Sequence, residues 1–205
     1  MLKFIKSAWN KVFISLCFLF PILNCKHANN ILSKKIKSLE NQKINFEYMS
    51  GWDALTLDEV QEFYSTSLEQ RKSLESKAQI SIVGLTITVS LMIGIGGTLL
   101  GNEALNSSQL HSWVVAFGII SLSYFIMSGC MSLEVLGSKN RVYQLFPKEM
   151  RLLEREKLEK IAFNTELNVN LNIIRNNYVY CAYRSIIYAV VSLGVMFILF
   201  IIGVL

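Results

Sequence analysis

Three long runs without a charged residue dominate the pattern of hydrophobic and polar positions. They are AQISIVGLTITVSLMIGIGGTLL from Ala78 to Leu100, SWVVAFGIISLSYFIMSGCMSL from Ser112 to Leu133, and SIIYAVVSLGVMFILFIIGVL from Ser185 to Leu205. A helix of about 20 residues, rising 1.5 Å per residue, crosses a hydrocarbon layer of roughly 30 Å. Because backbone groups inside lipid must be hydrogen-bonded within their own segment, each run predicts a transmembrane helix.

The fold class predicted is an all-α integral membrane protein with three transmembrane helices and cytoplasmic helical extensions. The chain then divides into an N-terminal apolar segment with a basic linker, a cytoplasmic helix continuous with the first span, two closely spaced spans, a second cytoplasmic helical segment and a third span. The corresponding residues are 1–50, 51–78, 79–100, 112–133, 134–184 and 185–205.

The polar segment before the first apolar run carries a helix start. Thr56-Leu57-Asp58-Glu59 matches a capping box, in which Thr56 accepts a hydrogen bond from the Glu59 amide and Glu59 reaches back. No stop signal follows, so we expect a single helix from about Leu57 to Leu100. Residues three and four positions apart form one moderately apolar stripe along it. The stripe comprises Val60, Tyr64, Ser67, Arg71, Leu74 and Ala78.

A second polar helix is predicted after Phe146-Pro147, since proline is well tolerated at the first helical position. Asparagine is dense between Asn164 and Asn177. It is a poor helix former and also sets register inside helical interfaces. Two alternatives stay open there: a break in the helix, or a polar network between helices. The polar segments either pack on each other or form a docking or oligomerisation surface.

Composition and charge support a membrane protein. Of 205 residues, 52% are hydrophobic and 17% are charged, against about a quarter charged in an average soluble domain. Lysine and arginine are frequent in residues 26–77 and 139–184 and absent from the connection Gly101–His111. The positive-inside rule therefore predicts that both basic segments lie in the cytoplasm and that the C-terminus lies on the outer side, which in a bacterial inner-membrane protein is the periplasm. The net charge is +5, and the basic residues flank the apolar runs. This placement favours contact with the lipid bilayer, and we predict no direct nucleic-acid binding.

The opening apolar segment, residues 12–25, has three interpretations. Lys3, Lys6 and Lys11 precede it, as in a signal peptide, and Cys25 follows a sequence similar to a lipobox. Asn24 replaces the small residue expected before a lipidated cysteine. Cleavage there would also invert the basic loops. We therefore favour an uncleaved interfacial anchor over a signal sequence or a fourth span.

The sequence contains no recognisable catalytic, cofactor-binding or metal-binding constellation, so the prediction is a protein that is not an enzyme and needs no cofactor. The cysteines, Cys17, Cys25, Cys130 and Cys181, lack CxxC spacing and are interpreted as buried small hydrophobes. No ionisable residue lies in the apolar runs, which disfavours a proton-coupled transporter.

Small residues in the first two runs predict close helix packing. Pairs four residues apart let two backbones approach, either between the chain's own helices or between copies in a homo-oligomer. The candidate packing residues are Gly94, Gly96, Gly97, Gly101, Ser128 and Ser132.

A motif leading into the first run, with Arg71, Glu75 and Lys77 in RKSLESKA, resembles one in small membrane effectors of bacterial anti-phage systems. These include SLATT and Pycsar effectors, paired with cyclic-nucleotide synthases, and effectors encoded beside retrons. The segments SLEVL at 132–136 and YQLFP at 143–147 are similar too, as is Asn176-Asn177 before Ala182. The resemblance covers roughly residues 69–205.

The resemblance implies an effector of abortive infection that assembles in the inner membrane and damages it once infection is sensed. Its activating partner would be a reverse transcriptase with its RNA–DNA product, or a cyclic-nucleotide signal. Two alternatives remain from the residues alone. One is a structural or adaptor membrane protein that recruits a cytoplasmic partner, and the other is a holin-like channel.

Overall fold

The computed structural model describes residues 20–41, 51, 52, 54–100, 110–137, 142–145, 149 and 152–204, and all regular secondary structure in these residues is helical. There are four long helices, and the last three are long and apolar enough to cross a membrane. They are α1 (Pro21–Asn41), α2 (Leu57–Leu100), α3 (His111–Leu136) and α4 (Glu154–Val204).

The long helices α2 and α4 run parallel to each other. Near their starts, Val60 packs with Ile161 and Ala162, and further along Ser67 meets Asn172. Each helix begins with a polar half and continues as an apolar half. The parallel direction therefore places the two polar halves together and the two apolar halves together.

Helix α3 runs antiparallel to both and packs against their apolar halves. Ser121 Oγ donates to the Ala189 carbonyl oxygen at 2.8 Å, and Ser192 Oγ donates to the Phe117 carbonyl oxygen at 2.9 Å. Both hydroxyls thus bind a carbonyl of the opposite helix. Gly129 of α3 brings its backbone against the side chain of Leu85 on α2. The three apolar segments form one layer.

The prediction for α2 is confirmed. The helix begins at Leu57 and continues to Leu100. The Thr56 amide donates to Glu59 Oε2 at 2.8 Å, and the Glu59 amide donates to Thr56 Oγ1 at 3.4 Å, as a capping box requires. The predicted stripe also faces the other helices. Its buried members are Val60, Ser67, Leu74 and Ala78.

Pro147, where the second polar helix was predicted to begin, lies outside the described residues. The prediction that one helix continues from there is wrong, because Leu152 and Leu153 are not helical and α4 begins at Glu154. Before it, the Leu152 amide donates to the Glu149 carbonyl oxygen at 3.3 Å, which closes a turn. This turn lets the Glu149 carboxylate reach Lys160 Nζ at 3.2 Å. From Glu154 the helix continues without interruption through the asparagine-rich stretch, which excludes a break, one of the two alternatives left open there.

Helix α1 lies in the region that was predicted only as an apolar segment with a basic linker. It begins at Pro21 and packs along the polar half of α4. Cys25, Asn29 and Ile36 are buried there. Residues 1–19 and 42–50 lie outside the described residues. The choice between an anchor, a signal sequence and a fourth span therefore stays a prediction.

Candidate functional site: a buried polar layer between the long helices

A group of buried and half-buried polar side chains connects α2 and α4 where their polar halves end and their apolar halves begin. We call this group the polar layer. It lies within the last three turns or so before each apolar run. Its members are Ser67, Arg71, Glu75, Asn172 and Arg175.

Arg175 is the largest fully buried side chain of the described residues, with 1% of its surface exposed. Its Nη1 donates to Asn172 Oδ1 at 2.9 Å. In turn, Asn172 Nδ2 donates to the backbone carbonyl oxygen of Ser67 at 2.7 Å. Asn172 therefore connects a buried cation on α4 to the backbone of α2. A bond to a fixed carbonyl sets the register of two parallel helices.

Two of the three motif residues belong to this layer. Arg71 Nε lies 2.6 Å from Glu75 Oε1, an ion pair across one helical turn. Burial lowers the pKa of Arg175, the charge of Arg71 adds to this effect, and Glu75 opposes it. Arginine ordinarily titrates so far above neutral pH that Arg175 stays charged. Lys77, the third motif residue, is exposed.

Tyr143 joins three helices above the polar layer. Its amide donates to Asn168 Oδ1 at 3.1 Å, and Asn168 Nδ2 donates to the Tyr143 carbonyl oxygen at 3.0 Å. That carbonyl also accepts from the Tyr64 hydroxyl at 3.2 Å, and the Tyr143 hydroxyl binds the Glu40 carboxylate. One tyrosine therefore connects α1, α2 and α4.

Asparagine also joins α1 to α4. Asn177 Nδ2 donates to Asn29 Oδ1 at 2.8 Å, and Lys35 Nζ donates to Asn170 Oδ1 at 3.2 Å. Together with Asn168 and Asn172, these contacts confirm the polar network predicted for the asparagine-rich stretch.

The structure separates the predicted packing residues into two groups. Ser128 and Ser132 are buried among the chain's own helices. Gly94, Gly96 and Gly97 have open space around the position that a Cβ atom would occupy, with no atom within 4 Å. Gly101 lies outside the described residues. The serine pair thus serves packing within the chain, whereas no side chain or backbone of α3 or α4 packs against the three glycines of α2.

The chemistry of the polar layer is that of a clamp. Its members form charge-assisted and amide hydrogen bonds, which hold the helices in place. None of these contacts pairs a nucleophile with a base. Across the part of the chain that the structure describes, no three His, Cys, Asp or Glu side chains are grouped so that they could hold a metal ion. Arg175 was not predicted as a site residue, because the basic residues of its segment were used only to assign the orientation in the membrane.

Comparison with known proteins gives no match: no family model, no curated protein and no solved structure is similar to this chain.

Proposed function

We propose that this protein is the effector of a bacterial antiviral defence system. On activation it associates in the inner membrane and impairs membrane integrity, which arrests or kills the infected cell. In this proposal α2, α3 and α4 cross the membrane through their apolar parts. The basic polar halves and α1 lie in the cytoplasm, where a defence sensor would act. The sensor is a reverse transcriptase with its RNA–DNA product or a cyclic-nucleotide signal.

The observation that carries the proposal is the uncovered face of α2. Its apolar half exposes Ile80, Val83 and Ile87, which are between 58% and 69% accessible. Gly94 and Gly97 lie further along the same half with open space beside them. Small residues such as glycine let helices of separate copies approach closely in lipid. A second copy is therefore the occupant we propose for this face.

Two further features support an effector over a transporter. The apolar parts of the three helices contain no Asp, Glu, Lys or Arg, which pumps commonly need near the membrane midplane. The polar layer also holds the cytoplasmic halves in one register. A signal that rearranges those halves would be transmitted along α2 and α4 into the membrane as movement of continuous helices.

The test is a bulky substitution on the uncovered face. Gly97→Leu has open space in the single chain, so the protein should still insert, while close approach of a second copy is blocked. After activation of the defence system, cells with the wild-type protein should depolarise, measured with a potential-sensitive dye. Cells with the variant should keep their membrane potential.

Gly194→Leu is the matched control. Gly194 lies in the apolar half of α4 and likewise has no atom within 4 Å of a Cβ position. This variant should stay as toxic as the wild type. Unchanged membrane potential in activated wild-type cells would contradict the proposed function. Equal toxicity of all three proteins would exclude the α2 face from the association.

A groove between the polar halves favours the adaptor as a second candidate. Two cavities of about 290 and 310 Å³ share Gln70 and Val169 in their walls. Phe63 and Ile173 line them and are 53% and 43% exposed. An amphipathic helix of a cytoplasmic partner would fit such a groove. Co-purification of one stoichiometric partner from cells that show no loss of potential would favour this candidate.

A further inference from the structure

Two cysteines distant in sequence lie together between α1 and α4. Cys25 and Cys181 belong to one buried cluster with Met131 and Ala182. The Cys181 thiol donates to the carbonyl oxygen of Pro21 at 3.4 Å, and Pro21 is one helical turn before Cys25. Side chains of a helix lean over the preceding turn, so this contact brings the two sulfur atoms side by side.

The pair is buried and yet reachable. Cys25 is 3% exposed and Cys181 is 6% exposed, but both line a partly open cavity of about 180 Å³. Asn24, Asn177 and Arg184 contribute polar groups to the same wall. A small polar reagent can therefore approach the sulfur atoms from solvent.

The electrostatics of the pair give the two thiols different roles. Cys181 lies before the apolar half of α4, and Cys25 lies on α1. A hydrogen bond from the Cys25 thiol lowers the pKa of Cys181, burial opposes this effect, and the positive charge of Arg184 adds to it. The same hydrogen bond, together with burial, raises the pKa of Cys25. Since the thiolate is the reactive form, Cys181 is the nucleophile of the pair and Cys25 is its partner.

We propose that Cys25 and Cys181 form a reversible disulfide, driven by a hydroperoxide, that fastens α1 to α4. The Cys181 thiolate attacks one peroxide oxygen, the O–O bond breaks, and the departing oxygen takes a proton and leaves as water or an alcohol. Cys181 is now a sulfenic acid. Cys25 loses its proton and attacks the Cys181 sulfur, the S–O bond breaks, and water leaves. The two thiols are oxidised by two electrons and the peroxide is reduced.

The disulfide would change how α1 is held. In the reduced protein α1 is bound to α4 by hydrogen bonds such as Asn29–Asn177 and by a small apolar cluster around Ile36. A covalent link at Cys25 prevents α1 from leaving α4. This inference concerns the pair alone and does not depend on the proposed antiviral function.

The test uses the full-length chain in detergent micelles with the other cysteines replaced, Cys17→Ser and Cys130→Ser. After treatment with hydrogen peroxide, free thiols are alkylated and the protein is digested for mass spectrometry. We expect both thiols to disappear together and a linked peptide pair containing Cys25 and Cys181 to appear, with complete reversal by dithiothreitol. The wild-type chain, mapped in parallel, should give the same linked pair.

Two single variants in that background separate the roles. With Cys25→Ala, the Cys181 sulfenic acid should accumulate and be trapped by dimedone. With Cys181→Ala, Cys25 should stay a thiol at the same peroxide concentration. Two thiols that remain fully alkylatable in both the double variant and the wild type would overturn the proposal. A disulfide that links Cys25 to Cys17, or two chains to each other, would also overturn it.

Discussion

Arg175 and Asn172 show what a single residue decides in this protein. The sequence flagged the asparagine-rich stretch as a possible network, but Arg175 there looks like one more basic residue near a membrane span. The structure buries it and uses Asn172 to connect it to the Ser67 carbonyl oxygen. Burial depends on which helices pack together, and a single sequence does not contain that information. The contact between Cys25 and Cys181 was missed for the same reason.

Replacement of Asn172 by leucine should destabilise the folded protein. The change fills a similar volume but removes the acceptor of the buried Arg175 guanidinium and the donor to Ser67. Loss of hydrogen bonds to a buried charge costs about 2 kcal/mol. The free energy of unfolding, measured by denaturant titration in detergent, should fall by about that amount.

The matched control for this prediction is Asn176→Leu, because Asn176 is exposed one turn away on the same helix. Its effect should stay within about 0.5 kcal/mol, as is usual for surface substitutions. Equal losses in the two variants would show that Asn172 does not hold the layer.

At the scale of helices, the features that depend on local sequence signals were predictable, and those that depend on packing were not. Helix α2 could be predicted from end to end, since a capping box and an apolar stripe are local features. Helix α4 was placed too early, because Pro147 suits a helix start, whereas the ion pair of Glu149 with Lys160 favours a turn first. Helix α1 was not predicted as a helix, since its region was interpreted as an apolar segment with a basic linker. It is held by Cys25, Asn29 and Ile36 against α4.

The start of α2 should be sensitive to acid. Hydrogen bonds from the Thr56 amide and hydroxyl lower the pKa of Glu59 below its ordinary value. The stability from this box is thus fully present above the ordinary pKa of a glutamate and is lost as the pH falls through the lowered pKa of Glu59. The protection of the first α2 amides against hydrogen exchange should therefore fall several-fold in that acidic range, relative to the rest of the helix.

Two glutamine variants check the assignment. Glu59→Gln should remove this pH dependence, and Glu62→Gln, at an exposed position in the next turn, should retain it. If Glu59→Gln responds to acid as the wild type does, the capping carboxylate is not the titrating group.

At the scale of the whole molecule, the three apolar helical segments pack together, and α1 and the polar halves of α2 and α4 lie on one side of them. The number of apolar helices was predictable from run length alone. Their arrangement was not, because contacts such as Ser121 with Ala189 and Gly129 with Leu85 join distant parts of the chain. In this arrangement every strongly basic described segment lies on the same side of the apolar layer. By the positive-inside rule, we predict that this side faces the cytoplasm.

The most direct test of this account is the location of the end of α4. Two reporters are fused after Leu205 in parallel. Alkaline phosphatase is active only in the periplasm, and β-galactosidase is active only in the cytoplasm. The account predicts an active phosphatase and an inactive galactosidase. An active galactosidase with an inactive phosphatase would place the basic polar halves in the periplasm and contradict an effector triggered from the cytoplasm.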